Sequence, residues 1–289
     1  MRHLATLVLL PVWFCQSPAQ ITLIDDLHRT ITLRSPAERV VSLAPSITET
    51  LFSIDAGDRV VGLTTYCNYP PATAAKQRVG GVINPSIETI VGLRPDLVLM
   101  TTEGNARPDF EKLVSLGMTV FVTNPRTVDD VFASIERIGV LTGQADSARR
   151  LVRSLRARAD SVAARAARLP KRSVLVCVSL QPIIVVGNKT FLAELIERAG
   201  GSNIVSAEAS TYLLYSREAV LKSDPDVLIF FSDVAADTKE VLRTFPEWAN
   251  LKAFRRQSVA RIDTDIAARP GPRIVDALEL FFHLLHHIP

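Results

Sequence analysis

The sequence predicts an α/β protein of two similar lobes joined by a single long helix, on three observations. Short, wholly apolar runs such as LVLM at 97–100 and VLIF at 227–230 alternate with helical patterns, the signature of parallel sheets covered on both faces. One unit occurs twice: residues 86–100 read SIETIVGLRPDLVLM and residues 216–230 read SREAVLKSDPDVLIF, at an offset of 130. Between the copies, residues 144–169 run without Gly or Pro. The 289 residues are 47% hydrophobic and 22% charged, enough apolar material for a core and too much for a disordered chain. A formal charge of +3, spread over 33 basic and 30 acidic residues, gives no polycation and no reason to expect nucleic acid as a partner.

The first element is a leader. Residues 1–19 carry Arg2 and His3, an apolar stretch over 4–14 and then Ser17-Pro18-Ala19, the pattern of a secretory signal cut after Ala19. The apolar stretch is shorter than the roughly 20 residues a spanning helix needs. Cys15 follows Phe14, where a lipobox wants a small residue, so export without a lipid anchor is the favoured expectation. Losing Arg2 with the leader and no acid brings the charge from +3 to +2 and leaves Cys67 and Cys177, whose pairing the sequence leaves open.

A first lobe is expected over 20–142. It opens on the polar hairpin IDDLHRTITL, followed by a strand at 39–43 and a helix ending near Ala56-Gly57. Each repeated segment reads as Ser at an N-cap, Glu in the first turn, an apolar stripe, a terminating Pro and a buried strand. Residues 143–169 form the linking helix, with Leu151, Leu155, Val162, Ala166 and Leu169 as its apolar set and a length of about 39 Å over 144–169. Its seven arginines read as a solvated outer face, because no aromatic residue interleaves them. The second lobe, 170–289, repeats strand and helix from 173–176 to a helix ending at Ala199-Gly200-Gly201.

Enzyme signatures are missing from the sequence: it has no Gly-x-Ser-x-Gly, no His-Glu-x-x-His and no phosphate loop. His283 and His287 share a helix face, yet two imidazoles without a third ligand make a poor metal site. An exported metallo-enzyme using these histidines or Cys67 is the alternative of another class. The four tyrosines fall as two pairs, Tyr66 and Tyr69 in TTYCNYPP and Tyr212 and Tyr215 in STYLLYSRE, each just upstream of one repeated Ser-x-Glu helix. Set on opposite lobes, they suit a large flat ligand held between broad, rigid faces. The loop DIAARPGPR places Asp265, Arg269 and Arg273 ahead of the last helix, with Arg273 free to pair instead with an acid of that helix. Glu88 and Glu218 are explained locally by the helix dipole, and they also give a two-fold partner one carboxylate on each lobe.

These segments, RVVSLAPSITETLF, VGLTTYCNYPP, the Ser-x-Glu repeats and ARPGPRIVDALE, resemble in order and spacing the periplasmic substrate-binding proteins of ABC importers for cobalamin, haem and ferric siderophores. The resemblance covers nearly all of the mature chain. It implies two Rossmann-like lobes on one rigid backbone helix, little hinge motion, no catalysis and no cofactor. It also implies a monomer whose partners are a metal-chelate ligand in the interlobe cleft and a permease dimer onto which Glu88 and Glu218 dock. By position, Tyr66, Tyr212, Asp265 and Arg269 match ligand contacts of the family's cobalamin binders. Val82 stands where those proteins carry a tryptophan, and Trp248 lies outside the matched loops, so haem and ferric siderophores stay open as ligands.

Overall fold

The computed structural model describes residues 20–205 and 211–287. The expected leader, with Cys15, lies outside the described residues. The chain begins with an antiparallel hairpin, β1 (Ile21–Ile24) and β2 (Thr30–Leu33). There follow β3 (Val40–Ser42), α1 (Pro45–Ser53), β4 (Val60–Leu63), α2 (Ile87–Gly92), β5 (Leu97–Thr101), α3 (Arg107–Ser115), β6 (Val120–Thr123) and α4 (Val128–Leu141). Strands β3 to β6 form a parallel sheet in the order β4-β3-β5-β6. After α5 (Ala145–Ala166) come β7 (Arg172–Leu180), β8 (Ile183–Val186), α6 (Phe191–Arg198), β9 (Gly201–Asn203), β10 (Tyr212–Leu214), α7 (Arg217–Ser223) and β11 (Val227–Phe231). The chain closes with α8 (Thr238–Thr244), α9 (Lys252–Arg255), β12 (Val259–Ile262), α10 (Thr264–Ala267) and α11 (Ile274–His286).

The internal repeat is visible in the topology. The parallel strands of the second lobe run β9-β7-β11-β12, the order of the first lobe. One expectation is corrected, because the second sheet is not purely parallel. Strand β7 is nine residues long; its first half pairs with β9, and its second half turns at Gln181-Pro182 into antiparallel β8, which carries β10 at the edge. The two-residue turn permits this reversal, since a direct hairpin suits antiparallel but not parallel neighbours.

Both apolar runs cover two faces, as strand alternation demands. Leu97 and Leu99 of β5 point into an inner core shared with α1, α4 and α5, while Val98 and Met100 point to the outer side against Ile90 and Leu113. Val227, Ile229 and Phe231 of β11 enter the same inner core, and Leu228 and Phe230 face an outer cluster with Trp248 and Phe245. The inner core is therefore continuous through both lobes beneath α5.

The repeated polar residues have local causes. Ser86 caps α2 by accepting from the Thr89 amide at 3.2 Å, and Ser216 caps α7 by accepting from Ala219 at 3.1 Å. The repeated Pro-Asp pins each lobe's first strand to its central one. Asp96 accepts from the Glu38 and Arg39 amides at 3.0 and 2.9 Å, and Asp226 accepts from the Ser173 amide at 3.1 Å. Burial opposes the charge of Asp226, but the bonds from Ser173 prevail and hold its carboxyl below the usual carboxylate value.

The linking helix is shorter than expected but keeps the predicted face, since Leu155, Val162 and Ala166 are buried and Leu151 packs against the core. It spans 22 residues, and its buried face is Ala148, Val152, Leu155, Ala159, Val162 and Ala166, whereas Leu169 lies beyond its end and is exposed. Small side chains on that face let α5 lie close to α4 and α11. The arginines stand outward and reach both lobes: Arg156 meets Asp129 of α4 at 2.7 Å, and Arg158 meets Asp276 and Glu279 of α11 at 2.6 and 2.8 Å. Half-exposed pairs of this kind contribute at most about 1 kcal/mol each. The tighter constraint is Gly139 of α4, where an added Cβ would lie 2.4 Å from that of Ala148. Gly139→Val is expected to cost about 1–3 kcal/mol through overpacking, lowering Tm by about 2–8 °C in a calorimetric melt.

Candidate functional site

The C-terminal ends of the parallel strands face each other across the gap between the lobes, the end at which sheets of this type bind ligands. The loop after β4 carries Tyr66, Asn68 and Tyr69, and the loop after β5 carries Glu103. From the second lobe, α10 and the turn before α11 bring Asp265, Arg269 and Arg273, while β10 brings Tyr212.

At one end the lobes are bridged. Arg269 donates through Nη1 to Glu49 Oε1 at 2.9 Å and to Asn68 Oδ1 at 2.8 Å, pairs through Nη2 with Asp265, and reaches the Tyr66 carbonyl at 3.4 Å. Asn68 Nδ2 donates in turn to Asp265 Oδ2 at 2.7 Å. Arg273 forks onto Glu49, with Nε to Oε2 at 2.8 Å and Nη2 to Oε1 at 2.7 Å, and stacks 4.3 Å over the Tyr69 ring. The expectation that Arg273 pairs with an acid of its own helix is therefore corrected, because its carboxylate comes from α1 of the other lobe. Glu49 raises the affinity of Arg273 for its proton, which is held all the more firmly.

At the other end Tyr212 reaches toward the first lobe. Burial, and after it the Glu103 carboxylate, pushes its phenol above the ordinary tyrosine value, so the hydroxyl stays a donor. Glu103 is itself paired with Arg126 at 2.6 Å, and burial outweighs that partner in raising its pKa. Beside this pair a cavity of ≈ 490 Å³ opens between Arg126 and Thr127 on one lobe and Asn188, Thr190 and Thr211 on the other.

Three of the four predicted tyrosines are exposed, Tyr66 at 62%, Tyr69 at 44% and Tyr212 at 39%. Tyr215 does not join them, which corrects the expectation of two facing pairs. It lies three residues beyond Tyr212, so strand alternation turns it to the other face, where it packs against the outer core of the second lobe. Glu88 and Glu218 sit exposed in the first turns of α2 and α7. Glu218 is held below the usual carboxylate value by its own backbone amide and then by Ser216. Cys67 and Cys177 are both buried and free, one in each lobe, so the pairing left open by the sequence is not made. Burial pushes the Cys177 thiol up to about 12. His283 and His287 stack 5.1 Å apart, and no group of three metal-ligating side chains occurs among the described residues.

The sequence did not single out Glu49, Asn68, Glu103 or Arg126. Glu49 left one trace, as the only acid of a nine-residue helix whose last turn holds no base.

Two α/β lobes of matching strand order with one long helix between them define a bilobal binding-protein fold. The chain belongs to the periplasmic binding protein family, whose model matches residues 40–266. It is 30% identical over 244 residues to a vitamin B12-binding protein of Vibrio cholerae, covering 84% of this chain and 87% of that one. It is 29% identical over 269 residues to YvrC of Bacillus subtilis, an ABC transporter substrate-binding lipoprotein, covering 90% and 83%. Among solved structures, the periplasmic vitamin B12 binding protein BtuF of Vibrio cholerae superimposes with a TM-score of 0.79 at 28% identity, covering 88% of this chain and 98% of that one. The periplasmic heme-binding protein RhuT from Roseiflexus sp. RS-1 reaches the same TM-score of 0.79 at 24% identity, over 87% and 99%, a likeness of fold.

Proposed function

We propose that this chain is the exported substrate-binding subunit of an ABC importer, and that it captures a corrinoid, cobalamin or a close relative, between its lobes for delivery to a permease. The observation that supports the reading is that Tyr66 and Tyr69 of the first lobe and Tyr212 of the second are all exposed. Rigid rings of this kind cover a flat macrocycle at small entropic cost.

Charge favours a corrinoid over haem. Arg126, Arg269 and Arg273 are each matched by a carboxylate of the site, Glu103, Asp265 or Glu49. A ligand with two carboxylates would have to break such pairs, whereas the amides of a corrin rim can hydrogen-bond to them as they stand. Glu88 and Glu218, one on each lobe, are the contacts proposed for the permease. Incubating the protein with cobalamin and with haemin, then measuring the colour retained through gel filtration, tests the ligand. Retention of cobalamin supports the reading, and retention of haemin alone replaces it with the haem-binding one.

A further inference from the structure

Two carboxylates among the described residues are almost fully buried, Asp25 at 2% exposure and Glu49 at 1%. Asp25 is satisfied inside its own lobe, by the Leu27 and Arg29 amides and the Arg29 guanidinium. Glu49 takes its charged partners from the other lobe. Both its oxygens accept from Arg273, and Oε1 accepts also from Arg269, all at 2.7 to 2.9 Å. Removing a carboxylate from water is costly, and only tight, multiple bonding offsets it. Here the bonding exists only while the lobes stand at this distance.

The backbone confirms how close that approach is. A Cβ on Gly271, between the two arginines, would lie 3.0 Å from the Ser46 carbonyl in the first turn of α1. The same two arginines also organise the tyrosine wall, Arg269 through the Tyr66 carbonyl and Arg273 across the Tyr69 ring.

We propose that Glu49 is a positioning residue for ligand capture. It clamps the second lobe onto α1, fixes the width of the gap before any ligand arrives, and holds the Tyr66–Tyr69 loop where the ligand meets it. Its consequence for affinity rests on the ligand reading above; its consequence for lobe spacing does not. A gap preset in this way spares the ligand the cost of ordering it.

The test is an interlobe distance measured by pulsed electron resonance between spin labels on Ser115→Cys of α3 and Lys239→Cys of α8, without ligand. The native cysteines are buried, so the engineered sites take the label. With Glu49 intact the distribution is expected to be narrow. Glu49→Gln, of the same shape, should broaden it toward longer distances while circular dichroism stays that of the parent, and cobalamin affinity should fall about tenfold. Should that variant fail to fold, Arg273→Gln, which removes two of the three interlobe bonds to Glu49, is expected to broaden the distribution in the same direction to a smaller extent. A distribution unchanged by the substitution overturns the clamp. If the distances respond as expected while the parent binds no cobalamin, the clamp stands and the corrinoid reading falls.

Discussion

Replacing Tyr66 and Tyr212 together with alanine is expected to weaken cobalamin binding roughly 100-fold, as two anchors worth about 1–3 kcal/mol each. The two residues belong to opposite lobes, and Arg269 meets Tyr66 at its carbonyl, which the substitution leaves in place. Tyr215→Phe should leave affinity unchanged, because that ring packs into the second lobe. Isothermal titration of the three proteins decides the matter. Unchanged affinity in the Tyr66→Ala, Tyr212→Ala protein would remove the aromatic walls from the site.

The second large effect is expected at the repeated glutamates. Glu88→Gln with Glu218→Gln should leave the fold and ligand affinity intact and lower transport at least about tenfold in an importer reconstituted from the source organism's membrane subunits. By symmetry, equivalent carboxylates on two equivalent lobes offer a two-fold partner the same bidentate contact twice. Because Glu218 is held below the usual carboxylate value, its charge persists as pH falls through the range where an ordinary glutamate is protonated. Its share of docking should therefore survive mild acid. A double variant that transports as well as the parent at low salt assigns both residues to their helix termini alone.

Much of the architecture was legible because it is local. The Ser caps, the Pro stops and the alternation of β5 and β11 each depend on neighbours within a few residues, and the repeat at an offset of 130 announced two copies of one unit. The antiparallel β8 was not legible, since VLVCVSL and IIVV read as apolar strand whichever way they pair, and only Gln181-Pro182 marks the reversal. Tyr215 was misplaced for a related reason: spacing in the chain gives nearness, while the face a side chain takes depends on where the strand begins. The pairing that makes the clamp was not legible. Glu49 and Arg269 are 220 residues apart, and nothing local to either shows that one completes the other.

The most direct test of the central claim is a calorimetric titration of the purified protein with cobalamin beside a matched titration with haemin. A single cobalamin site per chain is expected, with a dissociation constant of about 1 μM or tighter and weaker binding of haemin. Saturable binding of haemin with no heat from cobalamin at about 100 μM would contradict it.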